Sequence, residues 1–516
     1  LCAWSGCGRK NDMRHDRYPT PLSPKQCKPA IRLIMGAAHR RINAEPIPAR
    51  CRVDGVSDVR GDEPHAPQAR WRQLVPTPVA QDGGPLRTTP AWWPPAPSDA
   101  DLAAVATSGT PVLGDSHVVG GVDMVEATFL WCDDRRHGES PSVLIHLNTL
   151  TDNHRTHIAP ALANRVPGTG WWALHVLLPD DALVGYRIVV TRDRLPDDVG
   201  ARRECWKRVH AEGRPDALCP DRLHDGFGFV SSLWEGPGAV THPEWSVAPA
   251  EGATAAPSIE SSGGGYGHSV EVGGEALAGF DASGDSARRI TLWQQDCCGG
   301  SDGGRWERGQ DQGRGLLVLL DGEIWRRNDV VRRLGARAAS WDLLLVDSGS
   351  LTMRARDLAD PRRSRELVIR CLEAVRSVRP PCHPQRVVVA GQSLGGVAAA
   401  DLVLHHPDAA ARAICQSGSF WLGSGRRGEG EGELLAWLRR RGEREPSESV
   451  PARLVVQCGV HEGVLRTGGR VAAQLLAAQG ALLEYREERG GHDYAWWRHG
   501  LSWGLDVHEQ DLDCCP

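Results

Sequence analysis

A serine in the second half of the chain lies between a β-branched run and an alanine-rich run. Ser393 is the middle residue of Gly-Gln-Ser-Leu-Gly at positions 391–395. Residues 387–390 before it predict a buried strand, and residues 397–406 after it predict a helix. A serine on a tight turn between strand and helix is exposed as a nucleophile, and glycine neighbours let the two elements approach closely. The flanking elements matter because glycine is common here, with 59 among 516 residues.

A serine nucleophile needs a base, and the chain order serine, acid, histidine is that of the α/β-hydrolase triad. His492 lies in a Gly-Gly-His-Asp loop after a strand-like run, although with 20 histidines in the chain a surface-loop histidine is the alternative. Glu462 follows the strand-like residues 453–457, where the orienting acid usually lies. Asp493 is the poorer choice because it is adjacent to the histidine. We therefore predict a triad of Ser393, Glu462 and His492, with a Ser–His dyad and a solvated Glu462 as the alternative.

A negative charge develops on the carbonyl oxygen during acyl transfer, and two backbone N–H groups usually stabilise it. The residue after the nucleophile, Leu394, should provide one of them. Gly322 or Glu323, directly after the apolar run 316–320, should provide the other. An ordinary Asp-Gly turn after a strand is the alternative explanation of that second segment.

The elements from residue 316 onward alternate between apolar strands and helices of 10 to 15 residues. Such alternation predicts a parallel sheet with right-handed crossovers. Gly322, Ser393, Glu462 and His492 each follow a strand, so they should meet at one edge of that sheet. Upstream, short alternating runs between about 120 and 191 predict a small β-sandwich. The predicted fold class is therefore α/β, with an α/β-hydrolase domain preceded by an all-β domain.

The predicted domain boundaries follow changes in composition. Residues 1–115 are rich in proline and arginine, and we expect them to be disordered or an over-extended gene start. Residues 116–250 should form the β-sandwich, and 251–315 a Gly/Ser-rich linker with the first strand of the next domain at 290–293. Residues 316–516 should form the catalytic domain.

With these residues assembled, the chain resembles the enterochelin (ferric enterobactin) esterases over about residues 120 to 510. The Gln-Ser-Gly-Ser-Phe-Trp block at 416–421 and the Gly-Gly-His-Asp block are the most specific matches. The other matching segments are 127–131, 148–152, 216–220, 320–325, 354–358 and 389–396. The chain departs from the family at the end of the strand before the loop that carries Glu462. The family often has an acidic residue there, whereas this chain has Gln457 and Cys458.

The resemblance implies a serine esterase that hydrolyses the trilactone bonds of ferric enterobactin-type catecholate siderophores inside the cell. It implies Ser393 as nucleophile, His492 as base and an immunoglobulin-like fold for the β-sandwich. It also implies Arg354 as a substrate-binding arginine, because a ferric tris-catecholate is a trianion that a guanidinium attracts. A solvent-facing arginine is the alternative. Iron would enter as part of the substrate, so we predict no metal site and no cofactor.

Catechol rings would stack on aromatic side chains, and three tryptophans lie near the motifs. Trp325, Trp421 and Trp497 are the candidates for substrate binding, although each could equally be a structural residue.

Composition excludes several other classes of function. The net charge of −5 and the lack of a basic stripe give no support to nucleic-acid binding. The 15 cysteines include no Cys-x-x-Cys pair or zinc spacing, which favours free thiols in a reducing cytosol. No apolar run is long enough for a membrane span, and no secretory signal is apparent, so we expect a cytoplasmic protein without membrane partners.

The alternatives to a siderophore esterase are a general acyl- or feruloyl-type esterase or acyltransferase of the same fold, or a catalytically inactive siderophore-binding protein.

Overall fold

The computed structural model describes residues 69–133, 141–246, 268–271, 288–294, 314–425, 428, 430–444 and 450–514. Within these residues no helix combines the length and apolarity that a membrane crossing requires. The strands are β1 (Arg70–Arg72), β2 (Leu86–Arg87), β3 (Val112–Val119), β4 (Val122–Cys132), β5 (Ser142–Leu147), β6 (Asn164–Arg165), β7 (Trp171–Pro179), β8 (Leu183–Thr191), β9 (Arg222–His224), β10 (Val230–Glu235), β11 (His268–Glu271), β12 (Ile290–Gln294), β13 (Gly315–Leu320), β14 (Trp341–Val346), β15 (Val387–Gln392), β16 (Arg412–Gln416), β17 (Arg453–Gly459) and β18 (Leu482–Glu488).

The α-helices of the described residues connect and cover these strands. They are α1 (Asp99–Ala106), α2 (Leu150–Asn153), α3 (Arg203–Glu212), α4 (Pro243–Ser246), α5 (Gly322–Arg327), α6 (Val330–Arg333), α7 (Leu351–Leu358), α8 (Pro361–Val375), α9 (Leu394–His405), α10 (Glu433–Arg444), α11 (Val464–Ala478) and α12 (Tyr494–Cys514).

Two antiparallel sheets form the upstream half of the described chain. One has the strand order β5-β8-β10-β9, and the other has β2-β7-β4-β3 with β6 on β7. Alternate residues of the strands face a shared core; Val125, Ala127 and Phe129 of β4 pack there with Tyr186 and Ile188 of β8. This period of two is the pattern from which the sequence predicted strands.

A larger sheet, in the order β1-β18-β17-β16-β15-β13-β14-β12-β11, carries the downstream half. In this order, neighbouring strands pair in parallel from β1 at one edge as far as β14. The last two strands, β12 and β11, pair in antiparallel orientation. The sheet is covered on both faces: Val387 and Val389 of β15 pack against one core, whereas Val388 and Ala390 pack against the other. Burial on both faces explains why the strands read as continuous apolar runs. The predicted α/β architecture is confirmed.

The expectation of disorder does not hold for residues 69–115. Strand β1 joins the edge of the large sheet beside β18, and the N–H of Leu74 donates to Glu487 Oε2 at 2.9 Å. Strand β2 pairs with β7, and α1 begins at a capping box formed by Ser98 and Asp101. Strands β1 and β2 gain order from strands far along the chain, which local composition does not reveal. Residues 1–68 lie outside the described residues, as does most of the predicted linker; its strand at 290–293 corresponds to β12.

Candidate active site

Ser393 lies on a sharp turn between β15 and α9. Its backbone has φ 58° and ψ −116°, a conformation that is rare for a residue with a side chain. A Cβ at Gly391 would lie 2.4 Å from the carbonyl carbon of Gly395, so only glycine permits this turn. The hydrogen bond that the structure gives to the Ser393 hydroxyl is with Ser419 Oγ, at 3.3 Å. The turn has the geometry of a nucleophile elbow.

The imidazole of His492 is paired with Glu462. Its Nδ1 donates to Glu462 Oε1 at 2.6 Å, because an ionised carboxylate can only accept. The other carboxylate oxygen, Oε2, accepts from the Gly459 N–H at 2.6 Å and from the Ser417 hydroxyl at 2.7 Å. This pairing leaves Nε2 of the ring as the nitrogen available for proton transfer, which is the arrangement that a catalytic histidine needs.

Asp493 has a different environment from Glu462. It is buried, and its two carboxylate oxygens accept from the backbone N–H groups of Ala495 and Gly185, each at 2.9 Å. Burial raises the pKa of this carboxyl to about 6. Asp493 therefore caps α12 and joins it to β8, whereas the carboxylate that contacts the histidine ring is Glu462.

The candidate oxyanion donors lie at the starts of two helices. Leu394 begins α9, and Gly322 and Glu323 begin α5, so their N–H groups have no acceptor within their own helix. Asp321 before α5 adopts the left-handed conformation, and a Cβ on Gly322 would lie 2.8 Å from the Val346 nitrogen. This close approach requires glycine at position 322.

A carboxyl group lies directly beside these donors. Glu323 Oε2 accepts from the N–H of Ser348 at 2.9 Å. Burial, and secondarily the charge of Asp321, raise the pKa of Glu323 to about 7. The charge of this group therefore changes near neutral pH, within the segment that would stabilise an oxyanion.

Arg354 makes a two-pronged salt bridge with Asp321. Its Nε and Nη2 donate to the two carboxylate oxygens at 2.7 and 2.8 Å, and Nη2 also donates to the carbonyl oxygen of Gln392 at 3.2 Å. Burial alone would raise the pKa of Asp321, but this guanidinium outweighs that effect and holds it below its usual value. Arg354 therefore links the end of the nucleophile strand to the loop before α5, next to the predicted oxyanion donors.

The three tryptophans proposed from the sequence have different surroundings. Trp325 is fully buried, and its ring packs edge-on against Tyr494 with centroids 5.0 Å apart, which contradicts direct ligand contact. Trp497 is also buried, with its ring edge-on to His492 at 4.9 Å and its Nε1 donating to Ser417 Oγ at 2.9 Å. It supports the imidazole rather than offering a stacking surface. Trp421 is half-buried, so its side chain retains accessible surface.

Three glutamines at the ends of adjacent strands form a hydrogen-bonded ladder that was not predicted from the sequence. Gln392, Gln416 and Gln457 are in register across β15, β16 and β17. Gln392 Nε2 donates to Gln416 Oε1, and Gln416 Nε2 donates to Gln457 Oε1, each at 2.8 Å. Gln416 and Gln457 also donate to the carbonyls of Trp497 and Gly500 in α12. This buried ladder joins β15, β16 and β17 to α12, the helix that follows His492.

The chain is similar to proteins of known activity over most of its length. Residues 126–245 match the family model described as enterochelin esterase, N-terminal. The iron(III) enterobactin esterases of Escherichia coli O6:H1 and Dickeya dadantii are each 28% identical; the alignments cover 74% and 80% of this chain and 91% and 92% of the relatives. The enterobactin esterase of Shigella flexneri, solved in the presence of 2,3-dihydroxy-N-benzoyl-serine, is 26% identical with a TM-score of 0.59. That match covers 77% of this chain and 96% of the Shigella protein.

Proposed function

Because the chain belongs to the enterochelin esterase family, we propose that it is a serine esterase that hydrolyses the ester bonds of ferric enterobactin-type siderophores. The observation that carries this proposal is the 2.6 Å pairing of His492 with Glu462, in a chain that also has Ser393 at a nucleophile elbow. An inactive binding protein would have no need of this arrangement.

The proposed reaction begins when Ser393 Oγ attacks an ester carbonyl. His492 Nε2 accepts the serine proton, and Glu462 stabilises the resulting imidazolium. The N–H of Leu394 and that of Gly322 or Glu323 stabilise the oxyanion. His492 then returns the proton to the departing alkoxide, which leaves as a serine hydroxyl of the siderophore. A water molecule activated by His492 repeats the sequence on the acyl-enzyme and restores Ser393. Before substrate arrives, Ser419 gives the nucleophile a hydrogen-bonding partner.

The substrate proposal rests on charge as well as on similarity. A ferric tris-catecholate carries three negative charges, and Arg354 is a candidate for attracting it from its position beside the oxyanion donors. Trp421 is the remaining tryptophan candidate for a catechol ring. Iron is cargo of the substrate in this proposal. The upstream β-domain would have an immunoglobulin-like arrangement, and the protein would act in the cytoplasm.

Chromatography of siderophore products tests this proposal. The protein and its Ser393→Ala variant are incubated with ferric enterobactin, and the linear trimer, dimer and monomer are followed. Products from the unsubstituted protein alone are expected. Ser377→Ala is the matched control, because that hydroxyl only donates to the Ala374 carbonyl. If the trilactone stays intact while simple aryl esters are cleaved with the same dependence on Ser393, the general esterase alternative replaces this proposal.

A further inference from the structure

The backbone of the candidate base is held by the β-domain. The N–H of His492 donates to Thr149 Oγ1 at 2.8 Å, and Asn148 Nδ2 donates to the His492 carbonyl oxygen at 3.3 Å. Both polar groups of the His492 backbone are thus bonded to two consecutive residues before α2. Because these bonds fix the peptide planes on either side of the Cα atom, they also fix the direction in which the imidazole leaves the backbone.

Neighbouring contacts hold this loop and the loop that carries Glu462. The N–H of Leu183 in β8 donates to the Arg489 carbonyl at 3.0 Å, and Asn153 Nδ2 donates to the His461 carbonyl at 3.0 Å, one residue before Glu462. A Cβ on Gly491 would lie 2.6 Å from Thr149 Oγ1. The glycine before the histidine therefore permits the close approach of Thr149.

Thr149 adopts an unfavourable backbone conformation to make this contact. Its φ is 65° and ψ −40°, and a β-branched residue at positive φ is a genuine outlier. Such strain persists only where surrounding interactions impose it, and it is concentrated at functional sites. Here the Thr149 N–H donates to the buried Asp152 Oδ2 at 2.9 Å.

Asp152 is itself fixed by three side chains. It accepts from Trp206 Nε1 at 2.7 Å, His210 Nε2 at 3.1 Å and His146 Nε2 at 3.2 Å. Two histidines and a carboxylate could also suggest a metal site. However, Arg187 Nη2 donates to His210 Nδ1 at 3.1 Å, so Nε2 of that ring carries a proton directed at Asp152. Both carboxylate oxygens of Asp152 accept hydrogen bonds from N–H donors. We therefore interpret this cluster as a hydrogen-bonded support for Thr149.

We propose that Thr149, supported by Asp152, is a positioning residue for catalysis: the β-domain sets the orientation of His492. The inference rests on the proposed serine esterase mechanism. It gives the β-domain an indirect part in the chemistry, through the orientation of His492, in addition to any contact with substrate.

The test compares three variants of the full chain. Thr149→Val keeps the branched shape and removes the acceptor, whereas Thr149→Ser keeps the hydroxyl. Thr169→Val is the control, because the Thr169 hydroxyl also accepts a backbone N–H, from Trp171 at 3.1 Å, but within the β-domain. Each variant is assayed with an alkyl ester of N-acylserine and with a p-nitrophenyl ester. End-point labelling of Ser393 with an aryl phosphonate counts the competent sites.

Thr149→Val should lower kcat for the alkyl ester about tenfold with little change in KM, since small misplacements of a catalytic group are costly. Its kcat/KM for the p-nitrophenyl ester should fall less, because that leaving group needs no proton from His492. Thr149→Ser should restore most of the rate, and Thr169→Val should match the unsubstituted protein. Equal kcat for Thr149→Val and Thr169→Val, or equal losses for both esters, would overturn the proposal.

A second variant covers the case in which Thr149→Val does not fold. Asn148→Ala removes the donor to the His492 carbonyl, and the same unequal loss between the two esters is expected; equal losses would count against the proposal. The proposed function is judged separately: it fails if the unsubstituted protein leaves ferric enterobactin intact. The positioning role can still be measured on the simple esters in that case.

Discussion

The Ser417 hydroxyl donates a 2.7 Å hydrogen bond to Glu462 Oε2, the carboxylate oxygen that does not contact His492. Ser417 is fully buried and has φ 49°, and its oxygen accepts from Trp497 Nε1 at 2.9 Å. The indole, the hydroxyl, the carboxylate and the imidazole therefore form one chain of hydrogen bonds. Strand β16 carries no predicted triad residue, yet the residue after it orients the acid.

We predict that Ser417→Ala lowers both activity and stability. The change removes a donor from a buried carboxylate and leaves the Trp497 N–H without its acceptor, which costs about 1 to 3 kcal/mol of unfolding free energy. We expect kcat to fall about tenfold, because Glu462 gains freedom to turn away from His492. Denaturant unfolding and steady-state kinetics measure the two effects. An unchanged kcat in a destabilised variant would limit Ser417 to a structural role.

The contrast between Ser393 and Ser417 shows what the sequence could and could not reveal. The nucleophile turn was predictable because strand, glycines and helix are adjacent in the chain. The contact between Ser417 and Glu462 depends on the register of β16 against β17, where Gln416 pairs with Gln457. No local pattern encodes that register. The order of β1 escaped prediction for the same reason, because β18 stabilises it from the far end of the chain.

The prediction for Trp325 failed for a different reason. Trp325 was predicted to bind substrate because it is close to a motif in the sequence. However, the side chain of a helical residue points to one face of the helix only. In α5 that face is the core, where Trp325 packs against Trp245 and Tyr494. A six-residue helix is too short for its hydrophobic period to reveal the buried face in advance.

The identity of the acid can be tested by comparing two amide substitutions. Glu462→Gln should lower kcat about 10³- to 10⁴-fold, because an amide stabilises neither the correct tautomer nor the imidazolium. Asp493→Asn should have a much smaller effect on kcat, since that carboxylate contacts backbone N–H groups and not the ring. Steady-state kinetics on one ester substrate distinguishes the two. A larger loss from Asp493→Asn would reverse the assignment.

Asp493 should also make stability depend on pH. Its pKa is about 6 in the folded protein, against about 4 in an unfolded chain, because burial disfavours the charged form. Between these values the folded state binds more protons, so the free energy of unfolding falls as pH rises, by about 2 to 3 kcal/mol in all. Urea unfolding of the protein and of Asp493→Asn measures this. The variant should lose that part of the slope; identical slopes would contradict the shift.

The salt bridge of Arg354 predicts a loss of stability that a second substitution repairs. Arg354→Ala leaves the buried Asp321 carboxylate without its cation, which should lower the free energy of unfolding by about 3 to 5 kcal/mol. Adding Asp321→Asn should recover much of that loss, because the unpaired charge is gone. Thermal unfolding compares the single and double variants. If Arg354 serves only the substrate, the single variant will keep its stability and show a raised KM for the ferric siderophore.

Glu323 should limit activity on the alkaline side. Its pKa is raised to about 7, so the side chain is neutral below that pH and negative above it. A negative charge beside the oxyanion donors opposes both the developing oxyanion and an anionic substrate, so kcat/KM should decline as pH rises past about 7. Glu323→Gln stays neutral and should remove that decline in a profile from about pH 6 to about pH 9. Glu366→Gln, at a surface carboxylate paired with Arg370, is the control and should keep it. A profile for Glu323→Gln that declines like that of the unsubstituted protein would show that another group sets the alkaline limit.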